Sequence, residues 1–246
     1  MYTFSVNCVP KKLTLVNIIL QLITLRKRAV FMDKNKYDIV RLRMERCAEA
    51  LRNNNIYCEC AENCEEALDI ITSIIKPGDT VAVGGSMSLF ESGVITLLRS
   101  GAYNFIDRYA PNLSAEERQE IFIKSFSADH YFMSSNAITE KGELYNVDGI
   151  GNRVAALIYG PKSVIIVAGY NKIVRDLDEA KKRVCEIAAP ANAVRLGLNT
   201  PCAQVGKCVN CQTNSRICAH SVTVSHQMES YKDRIKVILI GEELGY

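Results

Sequence analysis

Four cysteines stand close together near the end of this 246-residue chain, in "TPCAQVGKCVNCQTNSRICAH" (200–220). Cys202, Cys208, Cys211 and Cys218 have the spacing C-x5-C-x2-C-x6-C. A Cys-x-x-Cys knuckle lets two thiolates reach one ion, and Gly206 and Asn210 ease the turns around it. The segment is polar and has little core of its own, so an ion would supply its order. The spacing predicts a four-thiolate site and does not separate zinc from a [4Fe–4S] cluster. Reduced thiols or a disulfide remain the plainer alternatives, since Cys58, Cys60 and Cys64 cluster with no ligand pattern. A Cys-x-x-Cys redox pair normally opens a helix in a thioredoxin-like unit, which is absent here.

A second group of residues could hold an anion. Gly84-Gly85-Ser86 follow one apolar run, and Asp148-Gly149-Ile150-Gly151-Asn152-Arg153 follow another. Arg108, Asn136 and Lys172 follow three more. Backbone N–H groups at Gly-rich turns before helices can hold an anion, and Arg153 can grip a carboxylate or phosphate with two donors. These residues predict a pocket for a small anionic metabolite. Glu91 and Asp148 are the candidate catalytic carboxylates, as general base or nucleophile. Each has a structural alternative. Ser88 and Glu91 have capping-box spacing, and Asp148 suits a turn. His130 leads a strand and suits packing better than catalysis, while His220 and His226 matter only if the cysteine segment binds metal.

Strand and helix patterns alternate from residue 35, which is what must bring these residues together. Val40, Met44, Cys47, Ala48 and Leu51 share one face of a helix over 36–53. Strands are expected at 56–60, 80–85, 103–107, 130–135, 143–147, 163–169, 221–226 and 236–241. The turn "EKG" lies between the fifth and its predecessor. Helices are expected at 88–99, 114–125, 152–159 and 176–189, and another after Asn63. The order implies an α/β fold, an open, mainly parallel Rossmann-like sheet with helices on both faces, in which ligands bind beyond the carboxyl ends of the strands. The cysteine segment, 197–220, is expected as an insertion or edge loop near the C-terminus.

Several functions are disfavoured. "GIGNRV" (149–154) has Val154 where a dinucleotide motif needs its third Gly, and "AGYNK" offers no acid for a ribose, so NAD is not expected. There is no Walker A sequence and no G-x-S-x-G elbow. From Met32 onward there are 25 Lys or Arg against 27 Asp or Glu, so nucleic acid is not an expected partner. The apolar stretch "LTLVNIILQLITL" (13–25) is too short for a bilayer core of about 30 Å, so no membrane span is expected. Residues 1–31 read as an appendage outside the domain, or as a start placed too early, and 32–246 as one domain. The cysteine usage points to a cytoplasmic, reducing compartment.

Five stretches carry a resemblance: "VAVGGSMSLFESG", "FIDRY", "SSNAITEKGELYNVDGIGNRVAALIYGPKSVIIVAGYNKIV", "AAPANAVRLG" and "VILIGEELGY". In wording and order they resemble the LUD domain of lactate-utilisation proteins, over about residues 36–246. The resemblance implies a fold similar to ribose-5-phosphate isomerase, glucosamine-6-phosphate deaminase and CoA transferases. It also implies work beside iron–sulfur partner subunits that oxidise lactate to pyruvate. The metabolite would then be a 2-hydroxy acid, with a phosphosugar or CoA ester as the alternative that the fold relatives suggest. A non-catalytic protein stapled by metal is a third reading. The resemblance supplies no catalytic residue, and the cysteine spacing does not match the ferredoxin run C-x2-C-x2-C-x3-C-P.

Overall fold

The computed structural model describes residues 32–246. The expectation for residues 1–31 lies outside them.

The chain runs α1 (Lys34–Asn53), β1 (Tyr57–Ala61), α2 (Cys64–Ile74), β2 (Thr80–Val83), α3 (Met87–Glu91), α4 (Val94–Leu98), β3 (Asn104–Ile106) and α5 (Ala115–Lys124). It continues through β4 (His130–Met133), β5 (Ala137–Thr139), β6 (Leu144–Asp148), α6 (Asn152–Ile158), β7 (Ser163–Gly169) and β8 (Ile173–Val174). Then follow α7 (Leu177–Arg183), α8 (Ala189–Arg195), α9 (Pro201–Val205), β9 (His220–Val224) and β10 (Ile235–Ile240).

Six strands form one all-parallel sheet in the order β1-β10-β7-β4-β2-β3. β7 is buried along its whole length, which is why "SVIIVAG" reads as an unbroken apolar run with no alternation. Val81, Val83, Phe132, Ile165, Val167, Ile238 and Ile240 of this sheet meet Ala67 and Ile71 of α2 in one core. The five α1 residues assigned to one face are all buried.

The helix starts follow their caps. Ser114 and Glu117 form a complete capping box on α5. Asn63 accepts from the Glu66 N–H, but Glu66 returns its bond to the N–H of Glu62, so that box is only half made. The helix expected over 88–99 is broken into α3 and α4 at Gly93, whose φ of +81 suits a residue without Cβ.

A second sheet was not anticipated. It has four strands in the order β8-β5-β6-β9 and mixes directions. Across "EKG" the partner of β6 is β5, not β4, and β9 runs antiparallel along the other edge of β6. Its core joins Ala137, Tyr145 and Val174 to Ala180, Val184 and Ala189. The helix expected to stop near Ala189 continues to Arg195 through a π-helical turn at Val184–Ala188. Pro190 lacks the N–H that would continue the regular ladder, and the wider turn precedes it.

Candidate functional site

Beyond the carboxyl ends of β2, β4 and β7 lies a polar cleft of about 80 Å³. That is room for about two or three waters, or a three-carbon acid, rather than a nucleotide. Gly85 and Ser86 come from the β2 end, Ser134, Ser135 and Asn136 from the β4 end, and Lys172 from beyond β7. Asp148 and Arg153 enter from the second sheet and α6, Asn192 and Arg195 from α8, and Tyr246 from the chain's last residue. An apolar hollow by Ile123, Phe126 and Tyr159 offers Lys124 as its only charged group and no converging set of polar atoms.

Lys172 is 3% exposed. Its ammonium donates to Ser134 Oγ at 3.0 Å. No carboxylate lies within ion-pair distance of it among the described residues. Burial first, then the positive charges of Arg183 and Arg153, push its pKa down to about 7, against a smaller opposing pull from Glu91. Ser134 Oγ faces the Ser135 carbonyl at 3.5 Å. Ser86 Oγ, also buried, has no hydrogen-bond partner and caps no helix. A buried hydroxyl and a buried ammonium in one cleft, both short of acceptors, call for an acceptor from outside.

Arg153 lies in the wall of this cleft but is turned into the protein. Its Nη1 donates to Ser134 O (3.0 Å) and Asn146 Oδ1 (2.6 Å), and its Nη2 to Asn136 Oδ1 (3.1 Å) and Val147 O (2.9 Å). Its Nε faces Asp148 Oδ1 at 3.9 Å. With four donors held by protein acceptors, the two-donor grip on an anion expected from sequence is not available in this arrangement. Arg153 instead ties β4, β6 and α6 together. Gly84 belongs to the same knot: a Cβ there would lie 3.0 Å from both Arg153 Cγ and the Tyr131 hydroxyl.

Asp148 takes the turn role weighed against catalysis. Its Oδ2 accepts from the backbone N–H groups of Arg153 and Val154, at 3.1 and 3.2 Å, which closes the start of α6. It is the only Asp or Glu among the described residues that line the cleft. Glu91 does not line it. Its Oε2 accepts from the Gly245 N–H at 2.6 Å, and Ser88 donates to the Leu244 carbonyl. The Ser88–Glu91 capping box is therefore not formed. Ser88 is already inside α3, and both side chains fasten the C-terminal segment.

The other candidates divide. Asn136 lines the cleft, with its side-chain oxygen occupied by Val147 N and Arg153. Arg108 lies over Gly85 and stacks on Phe122, 4.7 Å from the ring centroid, outside the lining. Gly149, Gly151 and Asn152 also lie outside it. Gly149 and Gly151 approach Ile217 and His220 of the cysteine region, and Gly149 O meets His220 Nδ1 at 3.0 Å. α3 and α6 have only five and seven residues, so the expected anion site at helix starts has little dipole behind it. Sequence reasoning missed Asn192, Arg195 and Tyr246. Arg195 is exposed and held by Asn192 Oδ1 through Nε and Nη2, at 3.1 and 2.7 Å. The only available signal was their place in "AAPANAVRLG" and "GEELGY".

The cysteine segment is not wholly a loop. Cys202 lies in α9, capped by Thr200, and its thiol is buried 3.2 Å from Thr200 Oγ1. Cys208, Cys211 and Cys218 are half-buried, and a fifth thiol, Cys185 of the π-helical turn, joins them. Cys208 N donates to Cys185 O at 3.1 Å, which brings the two residues together. Burial and then the Cys208 thiol raise the Cys185 pKa; burial, opposed by Arg216, raises that of Cys218, with Cys208, Cys202 and Cys211 adding to the rise. The Asn210 N–H points at Cys208 Sγ at 3.3 Å, and Arg216 donates to the carbonyls of Cys211 and Cys218. The five thiols thus share one neighbourhood. Among the described residues, however, no three Cys, His, Asp or Glu side chains are set close enough to hold an ion. An ion there requires the segment to close around it. Among the described residues, no helix is long and apolar enough to cross a membrane.

No curated protein matches the chain. Among solved structures it is similar to a DUF162 family protein from Deinococcus radiodurans, with 15% identity, 82% of this chain and 98% of that chain covered, and a TM-score of 0.48. It is also similar to eIF2B delta from Chaetomium thermophilum, with 16% identity, 68% and 66% covered, and a TM-score of 0.31. Likeness at that level carries no argument about function. The model of the LUD domain, by contrast, matches residues 44–240, which takes in both sheets, the cysteine segment and every cleft residue but Tyr246. This chain belongs to the LUD domain family.

Proposed function

We propose that this protein binds a small carboxylate, a 2-hydroxy or 2-oxo acid, in the cleft beyond β2, β4 and β7. It serves there as a subunit or accessory of a cytoplasmic system that oxidises lactate to pyruvate. The observation that carries the reading is Lys172: a buried ammonium with a single hydroxyl partner and no carboxylate opposite it. A ligand carboxylate would supply the missing charge, with Ser86 Oγ and Arg195 as further donors. The cleft's volume suits a three-carbon acid better than a CoA ester. Titration calorimetry with L-lactate, D-lactate, pyruvate, ribose 5-phosphate and acetyl-CoA tests this. Binding of the three-carbon acids, lost in Lys172→Met, is the expected result. Binding of the sugar phosphate or the CoA ester alone would move the protein to the phosphosugar or CoA-ester alternative. Lactate oxidation with an artificial electron acceptor is expected only when iron–sulfur partner subunits are added.

The cysteine neighbourhood is the second part of the proposal. Cys202, Cys208, Cys211 and Cys218 would take a zinc ion or a [4Fe–4S] cluster once the segment closes, with Cys185 at its edge. The Asn210 N–H on Cys208 Sγ supports this, because a backbone N–H aimed at the sulfur is the kind of outer contact that orients a metal ligand.

A further inference from the structure

We propose that Lys172 is a nucleophilic amine that condenses with the carbonyl carbon of a 2-oxo acid held in the cleft. The inference rests on the carboxylate-binding reading above and adds covalent chemistry to it.

A lysine can do this only if it is neutral, positioned and reachable. Lys172 lines the cleft and is otherwise shut off from solvent, with its Nζ fixed on Ser134 Oγ, a residue of the same lining. Its bond to Ser134 Oγ survives loss of one proton, because a neutral amine still donates, and the lone pair is then left free for the cleft. The groups around it favour the neutral form. Arg183 and Arg153 stand nearby, Arg195 lines the same cleft, and the nearest opposing charges are Glu91, fastened to Gly245, and Asp148 in the cleft wall. Burial and neighbouring cations are the two usual means of activating a lysine for imine formation. With its pKa near 7, much of the amine is free at neutral pH. Arg195 and Ser86 remain to hold the acid's carboxylate.

The step balances without an oxidant. The Nζ lone pair of the neutral amine adds to the carbonyl carbon, and nitrogen gives up both of its protons. The former carbonyl oxygen gains protons and leaves as water, and a C=N bond replaces C=O. Asp148, the only Asp or Glu among the described lining residues, is the side chain through which those protons can pass. Lactate, which has no carbonyl, would bind and form no imine.

The experiment is reductive trapping. The full chain is incubated with pyruvate and cyanoborohydride, then digested and mapped by mass spectrometry. Lactate and glyceraldehyde 3-phosphate are run in parallel, and lactate binding is measured separately by calorimetry. The expected result is one adduct, the mass of pyruvate less one oxygen, on Lys172. It forms in Lys162→Arg, which alters an exposed lysine, and not in Lys172→Arg. The adduct's position is read on the native protein, so a poorly folding Lys172→Arg leaves the test intact. Label absent from Lys172, or spread over exposed lysines, while lactate still binds would overturn the covalent step and leave the carboxylate site standing. An adduct with the triose phosphate alone would overturn the 2-oxo acid class. Failure of both acids to bind or label would sink the cleft reading along with this one.

Discussion

Lys172 Nζ and Ser134 Oγ lie 3.0 Å apart and join the chain beyond β7 to the carboxyl end of β4. Neither side chain has a carboxylate partner, so the pair holds a charge that the fold leaves uncompensated. Lys172→Met keeps the stem's packing and removes that charge. Its melting temperature should equal or exceed that of the native chain, because a buried, unpaired charge opposes folding. Carboxylate affinity should fall about tenfold to a hundredfold, the worth of one charge-assisted hydrogen bond. Thermal melts and calorimetry on the same preparation check both halves.

The depressed Lys172 pKa also makes stability depend on pH. Between about 7 and the ordinary lysine value of 10.5 the unfolded chain holds a proton on this lysine that the folded chain has given up. Stability on this account therefore rises with pH across that window, and the penalty is fully present below about 7. Denaturant midpoints measured from pH 6 to pH 9 should climb in the native chain relative to Lys172→Met. The groups near enough to bias this titration are Arg183, Arg153 and Glu91. A flat difference between the two proteins would show that the lysine is not desolvated.

Arg153→Ala is expected to be a folding variant first. It takes this donor from the carbonyls of Ser134 and Val147 and from the Asn146 side-chain oxygen, and leaves Asn136 Oδ1 with the Val147 N–H alone. The loss should be about 2–4 kcal/mol. Arg153→Lys should recover little, since an ammonium cannot span acceptors placed for a planar fork. Gly84→Ala should act on the same knot by pushing against Arg153 and Tyr131. Equilibrium unfolding in urea reads all three, and native stability in Arg153→Ala would contradict the assignment.

For the cysteine neighbourhood, protein purified without oxygen should carry stoichiometric zinc, or iron with a brown colour. Removing the metal should expose 206–219 to protease and leave the six-stranded sheet intact. Metal-free protein whose Cys202, Cys208, Cys211 and Cys218 all react freely, with that segment equally resistant, would mean that the thiols are neighbours only. A Cys185–Cys208 disulfide formed without added oxidant would point to the disulfide alternative instead of a metal site.

The parallel sheet was legible because its signals are local. The apolar runs of β2, β7 and β10, the α1 face from Val40 to Leu51, and the caps at Asn63 and Ser114 each lie within a few residues of sequence. What brings β9 to β6, or Arg195 and Tyr246 to the cleft, is tertiary and leaves no such mark. Residue type also misled at Arg153, where a guanidinium beside two glycines suggested an anion grip. Its acceptors come from the turn between β4 and β5 and from β6, and only the fold places them around it. Lys172 was found by its place beyond a strand end, although nothing in "AGYNK" announced that it would be buried without a counter-charge.

The most direct test is a crystal structure of the chain grown with L-lactate. The account predicts a carboxylate in the cleft, accepting from Lys172 Nζ, Ser86 Oγ and the Arg195 guanidinium, with Arg153 still bonded to Asn136 and Asn146. Lactate bound elsewhere, or a cleft holding only water at saturating lactate, would contradict it.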